Sequence, residues 1–495
     1  MPALTQRFNY LFRSTKGLIL VAIALIGLTS AFFGMLSGPM AEMGVRDFVV
    51  KLFHIDLVEA EREGRQIILY HTIAMIVVAI ETYMITDMIP MKKSQQTTIN
   101  ATITVGYLLA LFFGMPFAYW GHNWAFHGLY IAGLTLVFFA GVMLAIALWP
   151  WQKEYRVRGP EYAHVRGGFD LERAAFFTMA VTTLISATFG AVPGSFFGNG
   201  FEVFLAENTI REPIKSALDL AIIGHLHIML ALIAIAATLI VGRWLDFKGI
   251  LHKVAMPFMI FGSFVLALGT WLVVPFETLA HIVIYGGSTV AMLAALFMVI
   301  YAWDQQIKVG LAKQGLKKGN FFQGVRALVH DPLKFGATWQ MVFMNFTVSG
   351  VGIFVAVRLD EIFRVWPWRD ERLILTGHWH ILATLTATIL LLYYADIAGL
   401  QGRVRQWFGW SIIILSDVAF AAVTVFEMKR FFVDEASQQP LINTTMILTD
   451  LGLGGILVVM AMLLIWRLYD LFTRQGRWTQ EAHERLDPHH SEVLP

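Results

Sequence analysis

Two copies of Gly-His-x-His, Gly224-His225-Leu226-His227 and Gly377-His378-Trp379-His380, each open a long apolar run. His378 follows His225 by 153 residues, and His225 follows His71, which opens a further apolar run, by 154. Neutral imidazole ligates metals and is the axial ligand of many haem irons. A lone buried histidine is usually satisfied by a core hydrogen bond. Five at one period, each early in an apolar segment, predict ligation of haem iron and a threefold internal repeat.

On a helix, residues i and i+2 stand about 200° apart. His378 and His380 then point to opposite sides of their helix and serve different irons, an arrangement that holds two haems side by side for electron transfer. The same geometry applies to His225 and His227. Gly224 and Gly377, just before the pairs, remove a side chain where a macrocycle needs room. The other histidines carry less. His122 and His127 flank Trp124 at an outer boundary and suit an interfacial aromatic belt. His252, His164 and His330 fall beside inner loops and read as solvated, and His489 and His490 as tail. His281 begins an apolar run at the depth of the cluster and is a candidate metal or haem-edge residue.

The elements that position these groups follow from composition. The 495 residues are 57% hydrophobic and 15% charged, with mean hydropathy +0.63, where soluble domains are about 25% charged. The chain therefore reads as an all-α polytopic membrane protein. A net charge of +2 implies no nucleic-acid partner. Without cysteine, structural disulfides, iron–sulfur ligation and covalent c-type haem are excluded within the chain. A c-type cytochrome or other redox partner would be a separate subunit. The apolar run from Gly17 reads as a retained first span.

Twelve spans are expected, near 17–37, 67–90, 98–120, 127–149, 172–194, 215–241, 252–273, 277–302, 337–357, 374–397, 408–427 and 443–468. Twelve is three fours, which fits a threefold pseudo-repeat with units about 15–150, 170–303 and 335–470 in a single membrane domain, 1–495. Residues 471–495 form a cytoplasmic tail. Most Lys and Arg fall on the side of the N-terminus, placing both termini in the cytoplasm of a bacterial or archaeal inner membrane. Every repeated histidine then lies toward the outer face. Polar pieces at 38–66 and 195–214 lie outside, and 303–336 lies inside. Within the last, the basic, Gly-rich stretch Ile307–Arg326 is suited to an anionic inner leaflet.

Carboxylates inside spans are costly unless paired or hydrated. Glu81, Asp417, Asp450 and Glu277 qualify, with Asp87 and Asp396 nearer the inner edge. Several can be read as helix-end residues, and Asp417 or Asp450 as part of a proton route or quinone pocket. No proton-channel motif stands out, so pumping is not expected.

Twelve spans in a threefold pseudo-repeat, a histidine on span 2 and His-x-His on span 10 resemble the catalytic subunit of the haem-copper oxidase and nitric oxide reductase superfamily, over about residues 15–470. Thr376-Gly377-His378-Trp379-His380, with the span closing in Asp396-Ile397-Ala398-Gly399, is most similar to the nitric oxide reductase branch. The resemblance implies that His71 and His380 clamp a low-spin haem, that His378 is the proximal ligand of a second haem, and that Lys429 and Arg430 lie over the haem propionates. It also implies a copper or non-haem iron site built from a span 6 histidine and a His-His pair at the end of span 7. Here that stretch reads Gly269-Thr270-Trp271-Leu272-Val273-Val274-Pro275, without histidine. The usual binuclear centre is not expected.

His225 or His227 could fill the gap as the second axial ligand of the His378 haem. The first reading is then an electron-transfer oxidoreductase subunit of a respiratory complex. It holds two b-type haems, with imidazole for a third, and no copper, and passes electrons between membrane quinone and an outer redox partner. The second reading is a terminal nitric oxide or oxygen reductase with a non-haem metal held by His227, His281 and a carboxylate such as Glu277. A transporter with structural histidines is the third.

Overall fold

In a computed structural model, residues 9, 11–15, 17–36, 44–55, 62–120, 123–157, 166–197, 217–358 and 368–473 are described. His122, His164, His489 and His490 lie outside them. Every long element is a helix, as apolar runs in lipid require, because only a helix or closed barrel satisfies its backbone internally. Nine helices among the described residues are long and apolar enough to cross a membrane. The protein is an all-α, multi-pass membrane protein.

The chain forms two compact units, residues 1–211 with 461–495, and residues 212–460. The first contains α1 (Leu18–Leu36), the short α2 (Val45–Phe53), α3 (Arg62–Met88), α4 (Lys93–Trp120), α5 (Trp124–Ala147) and α6 (Leu171–Phe197). The second contains α7 (Ala217–Trp244), α8 (Ile250–Trp271), α9 (Glu277–Lys313), α10 (Phe321–Leu328) and α11 (Pro332–Val342). A π-helical turn (Phe343–Val348) joins α11 to α12 (Ser349–Val357), which precedes α13 (Trp368–Ile397) and α14 (Gly402–Glu427). The last helix, α15 (Gln438–Thr473), belongs to the second unit up to residue 460 and to the first beyond it.

A helix stands at each expected span, but those at 17–37, 67–90 and 337–357 are not among the nine, and three further details differ. The eighth runs on to Lys313, well past the expected end at 302, and the inner piece expected as connector carries the further helix α10. The ninth is interrupted by the π turn. The twelfth is 36 residues long. Hydropathy ends a span where polar residues begin, but backbone hydrogen bonding continues a helix into water.

Helices in lipid pack through small residues, since burial of apolar surface no longer drives them together. In the first unit a Cβ on Gly106 of α4 would come within 2.9 Å of the Gly133 carbonyl of α5 and 2.8 Å of the Val137 amide. In the second, one on Gly262 of α8 would come within 3.0 Å of the Gly287 carbonyl of α9 and 2.8 Å of the Ala291 amide. The same backbone-to-backbone contact thus recurs in both units, with the partners spaced identically. Also in the first unit, Arg173 is fully buried, its guanidinium 3.8 Å from the centre of the Tyr155 ring. It donates to the carbonyls of Pro90 (2.8 Å) and Ala147, tying the inner ends of three helices.

Candidate functional site

The second unit brings the two Gly-His-x-His motifs together. At the outer end of the pair, Trp379 Nε1 of α13 donates to His227 Nε2 of α7 over 3.2 Å. At the inner end, Trp244 Nε1 of α7 donates to Asp396 Oδ2 of α13 over 2.6 Å. Both contacts join residues 152 apart in sequence. Residue numbers therefore rise together along the two helices, which run parallel and in register. Motif faces motif.

His227 and His378 are close enough to interact electrostatically. His378 also hydrogen-bonds the Val348 backbone at the end of the π turn. A π turn adds a residue to the helix and rotates the side chains beyond it. Here α12, just past the turn, presents Gly352 to the His378 ring, where a Cβ would lie 3.0 Å from Cε1 and 3.3 Å from Nε2. Glycine there leaves the ring its space. His378 Nδ1 is buried with no hydrogen-bond partner, and such an atom marks a place where something else belongs. His225 and His227 are half-buried, while His380 is exposed. His71, on α3 of the first unit, is half-buried.

The space expected for a macrocycle at the motif glycines is filled by protein. At Gly377 a Cβ would overlap the Glu427 carboxylate; at Gly224 it would press on Thr270 and Val273 at 3.3 Å. Each glycine admits a neighbouring side chain, not a ring system. Glu427, at the outer end of α14, is only 4% exposed, and neither carboxylate oxygen has a hydrogen-bond partner. Sequence reasoning passed over it, because an acid at the end of an apolar run ordinarily marks the membrane boundary. The helical stripe Gly409, Ile413, Ser416, Phe420, Glu427 was the available signal: it keeps one face of α14 toward its neighbours and carries the acid onto that face.

Lys429 and Arg430 come next, in a 3₁₀ turn. Lys429 is buried, its ammonium 4.9 Å from the centre of the Phe426 ring, and Arg430 is exposed. Among the described residues no three His, Asp or Glu side chains gather as a metal site. His227, His281 and Glu277 are thus not assembled into one.

The remaining carboxylates separate by environment. Asp417 accepts from Trp339 Nε1 with both oxygens, at 3.0 and 3.1 Å. Asp396 is paired with Arg405 (2.5 Å), which also grips both oxygens of Asp331 (2.8 and 2.9 Å). Asp87 accepts from Thr15 at 2.7 Å. Glu81 is buried, with Oε1 unpartnered. His252, expected to be solvated, is instead 5% exposed, with its ring edge-on to Phe247 at 5.4 Å. Its helix packs that turn against an apolar neighbour. His127 stacks on Phe117 (5.1 Å) and Trp124 (5.8 Å).

No family model matches the chain, and no curated protein is similar to it.

Proposed function

We propose that the protein is a membrane-embedded, multi-haem b-type cytochrome of a respiratory complex, with twelve spans in a threefold pseudo-repeat and both termini cytoplasmic. It passes electrons between membrane quinone and a separate redox subunit on the outer face. The observation that carries the reading is the register of α7 and α13, which sets His227 beside His378 at one level. The recurring glycine contacts of α4–α5 and α8–α9 support the repeat.

The residues present suit haem. The two motifs of the second unit stand at one level, His378 keeps an unsatisfied buried nitrogen, and Gly352 lies against its ring. Bound haem would supply a one-electron couple. The family resemblance assigns His71 and His380 to one group, and within the second unit His378 with His227 would hold the other. His227 is taken as the ligand because Trp379 of the span 10 motif donates to it and it acts electrostatically on His378. Ligation by His227 would replace the hydrogen bond it now accepts from Trp379. Lys429 and Arg430 would supply cations to the propionates. With His378 and His227 both holding the group, no site would be left for a gas, and the protein would carry electrons without bond chemistry on oxygen or nitric oxide.

Haem content, metal content and a carbon monoxide difference spectrum of the purified protein test this. At least two non-covalent haems per chain, low-spin spectra and no carbon monoxide binding are expected. His227→Ala should create a gas-binding, high-spin haem, and His225→Ala should not. Rapid, stoichiometric carbon monoxide binding by the wild type, or one copper or non-haem iron per chain, would replace this reading with a terminal reductase.

A further inference from the structure

The inner end of α9 carries a feature that the haem reading does not use. At 1.5 Å per residue, the 37 residues of α9 span about 55 Å, against a hydrocarbon core of about 30 Å. Its apolar stretch ends at Trp303, and the helix continues through Asp304 and Gln305 to Lys313. There α10 folds back on it. A Cβ on Gly310 would meet the backbone of Ala327, and one on Gly319 would meet Leu311 and Gln323. Both ends of the returning segment thus touch the same turn of α9. A helix held that way crosses its neighbour instead of running along it, and one that crosses a spanning helix lies along the membrane surface. A capping box between Asn320 and Gln323 fixes where α10 begins.

Gly319, Gln323 and Ala327 face α9, which leaves the opposite side of α10 uncovered. It consists of Phe321, Phe322 and Val325, exposed by 77%, 81% and 44%. Lys317, Lys318 and Arg326 are exposed beside them. No carboxylate occurs between residues 305 and 330. Lys308 is matched by Asp304 at 2.5 Å, but this surface has no acid of its own. The crossing lies about 10 Å along α9 from Trp303, near the outer edge of the headgroup layer. Two exposed phenylalanines and an arginine on one short helix, with two lysines just before it, are the composition of an interfacial anchor.

We propose that α10 is a binding site for anionic phospholipid of the inner leaflet. Phe321 and Phe322 lie against the headgroup layer, while Lys317, Lys318 and Arg326 hold the headgroup phosphate. The site fixes the inner end of α9 to the bilayer surface. It is independent of the haem assignment.

Because the chain has no cysteine, one reporter can be placed without background. Full-length Phe322→Cys, labelled with an environment-sensitive nitrobenzoxadiazole, would be reconstituted into nanodiscs of phosphatidylcholine with or without phosphatidylglycerol. The label should be shielded from aqueous iodide when phosphatidylglycerol is present and quenched when it is not. Lys317→Gln and Lys318→Gln should each lower retained phosphatidylglycerol, read by native mass spectrometry, by about fivefold. Equal iodide quenching in both bilayers, or unchanged lipid retention in the lysine variants, would overturn the proposal. Equal quenching would leave the face open for a protein partner.

Discussion

The two ends of the α7–α13 pair are built on opposite principles. At the inner end both carboxylates are matched: Arg405 holds Asp331 and Asp396, and Trp244 closes on the remaining oxygen of Asp396. Gly399, at φ +84°, ends α13 just beyond, a left-handed conformation that glycine adopts without strain. At the outer end, His378 Nδ1 and both oxygens of Glu427 are buried and unmatched. A cluster satisfied throughout holds two helices in register. Unsatisfied polar atoms in a low-dielectric setting weaken the fold and persist where a ligand or proton uses them. The Asp396 end gives the pair its stability, and the His378 end is where the proposed function would act.

Arg405→Ala should have the largest effect, because it strands two half-buried carboxylates. A loss of about 3–5 kcal/mol is expected, read as thermal unfolding in detergent. A loss below about 1 kcal/mol would place both carboxylates in water and remove the contrast between the ends.

Gly377→Ala should be intermediate. The added methyl collides with the Glu427 carboxylate, for a cost of about 1–3 kcal/mol. In a Glu427→Ala background the same change should be nearly free, so the double-mutant cycle should show coupling above about 1 kcal/mol. Equal costs in both backgrounds would mean that Glu427 does not occupy the glycine's face.

Glu427→Met should be smallest in stability and opposite in sign. Replacing an unsatisfied carboxyl by an apolar side chain of similar length should leave stability unchanged or raise it by about 1 kcal/mol. Under the proposed function, the midpoint potential of the haem assigned to His378 should also move. A destabilisation as large as that of Arg405→Ala would show the outer end to be as fully bonded as the inner.

Much of the fold was legible in the residues. Span positions follow from local apolar run length, because lipid forces the backbone to bond within each segment, and a helix stands at each of the twelve. The spacing of the two Gly-His-x-His motifs anticipated their common level on neighbouring helices, since helices that run parallel convert equal sequence offsets into equal depth. Lys313 and the turn at Phe343–Val348 were not legible: a helix can run on through polar residues, and a π turn has no hydropathy signature.

The occupants of the motif's surroundings were decided only by packing. The residue beside Gly377 comes from α14, fifty positions away, and is known only once α13 and α14 are placed against each other. Gly377 alone says that space is needed, and either a macrocycle or a carboxylate could use it. His225 and His227 are likewise equivalent in sequence, and it takes the packed helices to show that Trp379 donates to His227. Sequence sets what each helix must be, because its backbone bonds are local. Tertiary structure decides which side chains meet, because those contacts join residues that nothing in their local pattern connects.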